Sequence, residues 1–258
     1  MSRIANSNPS MRMSAGNPLE SSEKQFLQQV ARQRVTTYDG HTWEYFDCGK
    51  QSAAASDSPR DDAHAPPLVC LPGTSGSARC FHLQMLALAA KGCRVIAVQH
   101  PTVWSHEEWI HSFDRFLNAI HVREIHRYTA RYPQRVASLV MTQGFCDTTL
   151  FGANSPSYVK MLPYMPEFYL KKWEAIFRFP SDSQRSPSRV HAIDYMVEQL
   201  DKLPQKEIAS RLTLNCLTCD PKSWKLALAD EKITLIDVSE NGRSHRKSKP
   251  NFMHLSSH

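Results

Sequence analysis

Four short apolar runs recur along this chain, at 68–71, 94–98, 135–141 and 232–238, separated by segments with helical periodicity. A strand that is apolar at successive positions must be covered on both faces, as in a parallel sheet between helix layers. The intervening segments supply the helices. Phe81, Met85 and Leu88 share one face over 79–90. Ser105 with Glu108 three positions later forms a capping box, and Trp109, Phe113, Phe116 and Ile120 then follow at i, i+4, i+7 and i+11. Val190, Ile193, Val197 and Leu200 mark another amphipathic helix. Segments 34–38 and 42–46 around Asp39-Gly40 read as a β-hairpin with its turn. Alternation of strand and helix places the chain in the α/β class with a mainly parallel sheet. The expectation is that the four apolar runs lie parallel in one sheet, with helices 106–120 and 189–203 packed on it.

Composition narrows the partners. The net charge is +6, but it sits at the ends. Residues 1–34 hold five basic against two acidic side chains, and residues 239–258 hold four against one, so 35–238 is neutral. A body without a basic, aromatic-interleaved face argues against nucleic-acid binding. The longest uninterrupted apolar run, 85–90, is far too short to span a bilayer. No apolar segment of signal-peptide type occurs in 1–16. Seven cysteines, an odd number, read as reduced thiols. Cys216 and Cys219 form a lone CxxC, and a zinc site would need two more ligands at similar spacing. No metal or cofactor is expected.

The expected organisation is a mostly disordered N-terminal segment, 1–34, a domain over 35–238, and a disordered basic tail, 239–258. Within the domain, the low-complexity stretch 50–66 reads as a surface loop. The region 154–205 reads as a cap, because its Met- and aromatic-rich part, 158–179, is broken by Pro163 and Pro166.

Several segments carry a resemblance. They are 71–76 (LPGTSG), 92–101 (GCRVIAVQHP) with Trp104 and His106, 163–172 (PYMPEFYLKK), and above all 192–203 (AIDYMVEQLDKL) continuing into 207–216 (EIASRLTLNC). Together they resemble the maspardin family of α/β-hydrolase-fold proteins over most of 35–238. The resemblance implies a hydrolase-type sheet with flanking helices and a helical cap. It also implies an adaptor role in the cytosol and at endosomal or trans-Golgi membranes, with the cytoplasmic tail of a T-cell co-receptor as a protein partner.

The chain departs from that fold in two places. No two of its nine glycines lie four residues apart, so the Gly-x-Ser-x-Gly turn that exposes a nucleophilic serine is missing. Where that turn belongs, only 127–134 (RYTARYPQ) separate 124–126 from the run at 135–141, and a parallel crossover needs roughly a dozen residues or more. Against the family template, roughly fifteen residues are absent there, which makes the fold incomplete. After Val238 the chain turns polar and aperiodic where a catalytic histidine would be expected.

The remaining candidates stand alone. Gly73-Thr74-Ser75-Gly76 occupies the place of an oxyanion loop, yet a tight turn after a strand explains it equally well without a nucleophile. Ser75 follows the wrong strand for a nucleophile. Asp147 and Asp237 sit at expected strand ends, and His245, His254 and His258 fall in the tail. The expectation is therefore no catalytic, cofactor-binding or metal-binding residue, and a binding protein rather than an enzyme. A second reading keeps a serine esterase or lipase activity in a full-length form, with this chain an inactive splice or gene-model variant. A third is a product that does not fold well.

Overall fold

The computed structural model describes residues 17–49, 66–122, 138–142, 156–178, 187–217 and 233–236. Four strands form a mixed sheet in the order β1-β2-β4-β3: β1 (Gln33–Thr36), β2 (Thr42–Cys48), β3 (Leu68–Cys70) and β4 (Val95–Gln99). β1 and β2 form the hairpin, with Gly40 at φ +83° in the turn, a conformation glycine adopts without steric cost. β2 runs antiparallel to β4, and β3 parallel to it.

β4 shows why an unbroken apolar run is required. Ile96 and Val98 face one hydrophobic cluster while Val95 and Ala97 face another, all four without exposure. On the first face lies helix α3 (His106–Ala119). Its Phe113 and Phe116 enclose Trp43, whose ring stacks on Phe116 at 4.9 Å and whose Nε1 donates to Ser112 Oγ at 2.9 Å. The capping box is shifted by one residue. Ser105 Oγ accepts from Glu108 N at 3.1 Å, but the Glu108 carboxylate accepts from Trp104 N at 2.7 Å. On the second face lie α1 (Pro18–Gln29) and α2 (His82–Ala89), which bury Phe26 and Met85 against Phe46, Val95 and Ala97. At the end of β2, Gly49 has φ +77°, and a methyl group there would run into the Cys93 carbonyl oxygen.

A helical cluster has its own core. It comprises α4 (Pro156–Met161), a 3-10 turn at Leu162–Tyr164, α5 (Glu167–Arg178), α6 (Pro187–Asp201) and α7 (Gln205–Cys216). Leu162, Leu170, Leu200, Ile208, Ala209 and Leu212 meet inside it, so the cluster runs on past residue 205.

Three expectations need correction. Residues 17–34 are not disordered. Asn17 caps α1 by accepting from Leu19 N at 3.1 Å, Pro18 sits at its first turn, and Phe26 is fully buried. The four apolar runs do not form one sheet among the described residues. β3 and β4 are one parallel pair, while β5 (Leu139–Thr142) and β6 (Ile233–Ile236) are another, in a separate two-stranded sheet. β5 reaches the main core through side-chain packing, because Leu139 joins the cluster of Val69, Ile96 and Val122. Finally, α6 packs against α1 and α5 rather than lying chiefly on the sheet. Segments 1–16, 50–65, 127–134 and 239–258 lie outside the described residues.

Candidate functional site

In a parallel arrangement the carboxyl ends of the strands form the edge at which ligands bind. For β3 and β4 that edge carries two loops, Leu71 to Ser77 and His100 to Ser105. The first holds the candidate oxyanion segment. Gly76 N donates to Gly73 O at 3.2 Å, closing a tight turn, and Thr74 and Ser75 are buried.

Helix α7 crosses this edge and fills it with polar side chains. Arg211 is 5 % exposed. Its Nη1 donates to the carbonyl oxygens of Thr74 at 3.0 Å and Gly76 at 2.5 Å, with Gly73 O at 3.5 Å. Burial pulls the Arg211 pKa down from its ordinary value, opposed by Glu207, whose carboxylate lies 3.4 Å from Nη2. Asn215 donates to Thr74 Oγ1 at 2.5 Å. Ser210 Oγ accepts from Val103 N at 3.0 Å and donates to Val103 O at 2.5 Å. His106 Nε2 donates to Leu214 O at 2.9 Å, and burial lowers the pKa of His106. The loop thus turns backbone acceptors toward a cation. An oxyanion hole requires N–H donors aimed at a developing negative charge.

The lock extends through further amides. Gln99 accepts from Ala78 N at 3.1 Å and donates to Glu207 at 2.8 Å. Ser77 donates to Gln199 Oε1 at 2.7 Å, and Gln199 donates to the buried Glu23 at 3.0 Å. Glu23 also meets Arg79 at 3.2 Å. This chain of bonds ties α1, α6 and α7 to the loop after β3. His100 is similarly committed: Trp109 Nε1 donates to its Nδ1 at 2.9 Å, so Nε2 carries the proton donated to Pro72 O at 3.0 Å.

No histidine is hydrogen-bonded to Ser75 among the described residues, and Asp147, Asp237, His245, His254 and His258 lie outside them. Cys216 is a buried free thiol, its pKa raised by burial, and Cys219 is outside the described residues. A serine–histidine hydrogen bond does occur elsewhere, between Ser22 Oγ and His82 Nε2 at 2.7 Å. Its third partner is the Arg79 carbonyl, 2.9 Å from Nδ1, and Ser22 also lies 2.9 Å from Leu19 O. His82 is 1 % exposed, so this pair joins α1 to α2 where no substrate reaches the imidazole. An open groove of about 350 Å³ between the hairpin and α3 is lined by Thr36, Tyr38, His111 and Arg115, with Arg115 engaged by Asp39 at 2.7 Å. None of these groupings was foreseen from the sequence. Arg211 leaves one trace there, a cation between Ile208 and Leu212 on the same helix.

Comparison with known proteins places the chain. It is 32 % identical to maspardin of Homo sapiens over 232 residues, covering 84 % of this chain and 70 % of that protein. To maspardin of Danio rerio it is 30 % identical, covering 84 % and 69 %. The chain belongs to the maspardin family. No protein-family model matches it. Among solved structures, a hydrolase from Pseudomonas aeruginosa aligns at TM-score 0.53 and 13 % identity, covering 81 % of this chain and 90 % of that one. A Vigna radiata epoxide hydrolase mutant aligns at 0.53 and 14 %, covering 81 % of each. At that identity the likeness establishes the fold alone, an α/β-hydrolase fold. This member of the maspardin family has no described helix long and apolar enough to cross a membrane.

Proposed function

We propose that the chain is a non-catalytic binding or adaptor protein built on the α/β-hydrolase fold. It acts in the cytosol and at the surface of endosomal or trans-Golgi membranes, and its partner is a protein, of the kind the family resemblance implies: the cytoplasmic tail of a T-cell co-receptor. One observation carries the non-catalytic reading. The Arg211 guanidinium is seated on the carbonyls of Gly73, Thr74 and Gly76, where a hydrolase would present donors to substrate. The missing Gly-x-Ser-x-Gly turn supports the same reading.

The test is chemical. Purified protein is expected to turn over short acyl esters no faster than a Ser75→Ala variant, and to remain unlabelled by fluorophosphonate probes. Stoichiometric labelling at any serine, or turnover abolished by Ser75→Ala, overturns the proposal. A second reading, a serine esterase or lipase in a full-length form, draws support from fold neighbours that are themselves hydrolases. Its test is the genomic sequence between the codons for His126 and Arg127, where an exon encoding the missing turn is expected on that reading.

A further inference from the structure

The corner between α4 and α5 exposes an aromatic cluster. Tyr164 is 87 % exposed, Phe168 65 %, Tyr169 58 % and Met161 57 %. Such residues at a surface usually mean an unfinished core or a docking site, and here the corner is well built from beneath. Leu162 and Leu170 are fully buried in the helical cluster. Gln205 Nε2 donates to Pro163 O at 2.9 Å and to Met165 O at 3.0 Å, clamping the turn on both sides of Tyr164. The aromatic side chains therefore project from a fixed base.

Charge selects the partner. Lys160 is exposed beside Met161, and the Lys172 ammonium lies 5.7 Å from the Phe168 ring centroid. The acidic side chain of the corner, Glu167, is held by Lys171 at 2.6 Å. The rings stand mostly in solvent, whereas peptide recognition uses grooves or sheet edges. An exposed cluster of Tyr, Phe and Met flanked by lysines matches the interfacial zone of a bilayer, where aromatic rings sit at headgroup level and ammonium groups meet anionic lipid. We infer that Met161, Tyr164, Phe168 and Tyr169, with Lys160 and Lys172, form a docking tip for an anionic lipid surface. The inference rests on the membrane-surface part of the proposed function and is independent of its non-catalytic part.

Vesicle flotation of the full chain tests it, using phosphatidylcholine vesicles with and without phosphatidylserine. Binding is expected only to the anionic vesicles and should weaken as salt rises. The triple variant Tyr164→Ser, Phe168→Ser, Tyr169→Ser should lower the partition coefficient about tenfold or more. Lys160→Glu with Lys172→Glu should do the same by reversing the flanking charge. Because all these side chains are on the surface, both variants should keep the wild-type circular dichroism and melting temperature. Absence of vesicle binding by the wild type overturns the tip. So does unchanged binding by a folded triple variant, which would leave membrane attachment to another surface. A wild-type dimer converted to monomer by the triple variant would show that a second copy, not lipid, covers the corner. Ester turnover or probe labelling reports separately on the non-catalytic reading.

Discussion

The sheet face covered by α3 and the loop edge covered by α7 are closed by opposite means. On the first, Trp43, Phe113, Phe116 and Ile96 bury ring and methyl surface with few directional bonds. On the second, Arg211 and Ser210 donate to backbone carbonyls, Asn215 donates to Thr74 Oγ1, and the Gln99 and Gln199 side-chain oxygens accept from Ala78 N and Ser77 Oγ. Apolar burial is tolerant of detail and stabilises in proportion to area. A buried polar lock stabilises only while every bond is made, because an unpaired buried acceptor retains its full desolvation cost. The sheet face should therefore set global stability, and the polar edge should set where the helical cluster sits.

The largest expected effect falls on the apolar side. Trp43→Ala removes a fully buried indole stacked on Phe116 and strands Ser112 Oγ. A loss of about 3–5 kcal/mol is expected, a large part of an ordinary domain's margin. Denaturant titration checks it, and a loss below about 1 kcal/mol would mean that the core collapses around the gap.

Arg211→Ala tests the polar side. Three carbonyls lose their donor in a buried place, for a cost of about 2–4 kcal/mol if water does not enter. The informative readout is location. Limited proteolysis should open first at α6 and α7, while the fluorescence of the buried Trp43 keeps its folded signature. Simultaneous loss of both would mean that the two regions form one cooperative unit.

The same contrast explains what could be read from the sequence. Helix α3 was legible because its cap and its apolar residues follow helical spacing, and β4 because both of its faces are apolar. The Asp-Gly turn announced the hairpin. Helix α1 was missed although Asn17-Pro18 is a helix-start signal, because its buried residues are only Glu23 and Phe26 and the rest is polar. The division into two parallel pairs was missed because periodicity identifies strands and not their neighbours. The Arg211 lock joins residues 135 or more positions apart through backbone oxygens, which have no side-chain signature. Of the site, the glycine-containing turn was visible and its occupant was not.

The smallest predicted effect concerns protons at the polar edge. His106 donates through Nε2 to Leu214 O, joining the start of α3 to α7, and burial holds its pKa below the ordinary 6.5. Once unfolded, the imidazole takes up a proton near that ordinary value, while the folded protein resists protonation until lower pH. Between the two values the unfolded state binds more protons, so stability falls as pH falls through this window. Above it His106 contributes no pH slope, and below the folded pKa the loss levels off. His106→Gln removes the titration along with a hydrogen bond worth about 0.5–1.5 kcal/mol. Plotted against pH, wild-type minus variant stability should be level above 6.5 and decline below it. The reverse slope would mean that the ring gains a partner for its charged form when folded, and that α7 holds α3 through an ion pair rather than through a neutral donor.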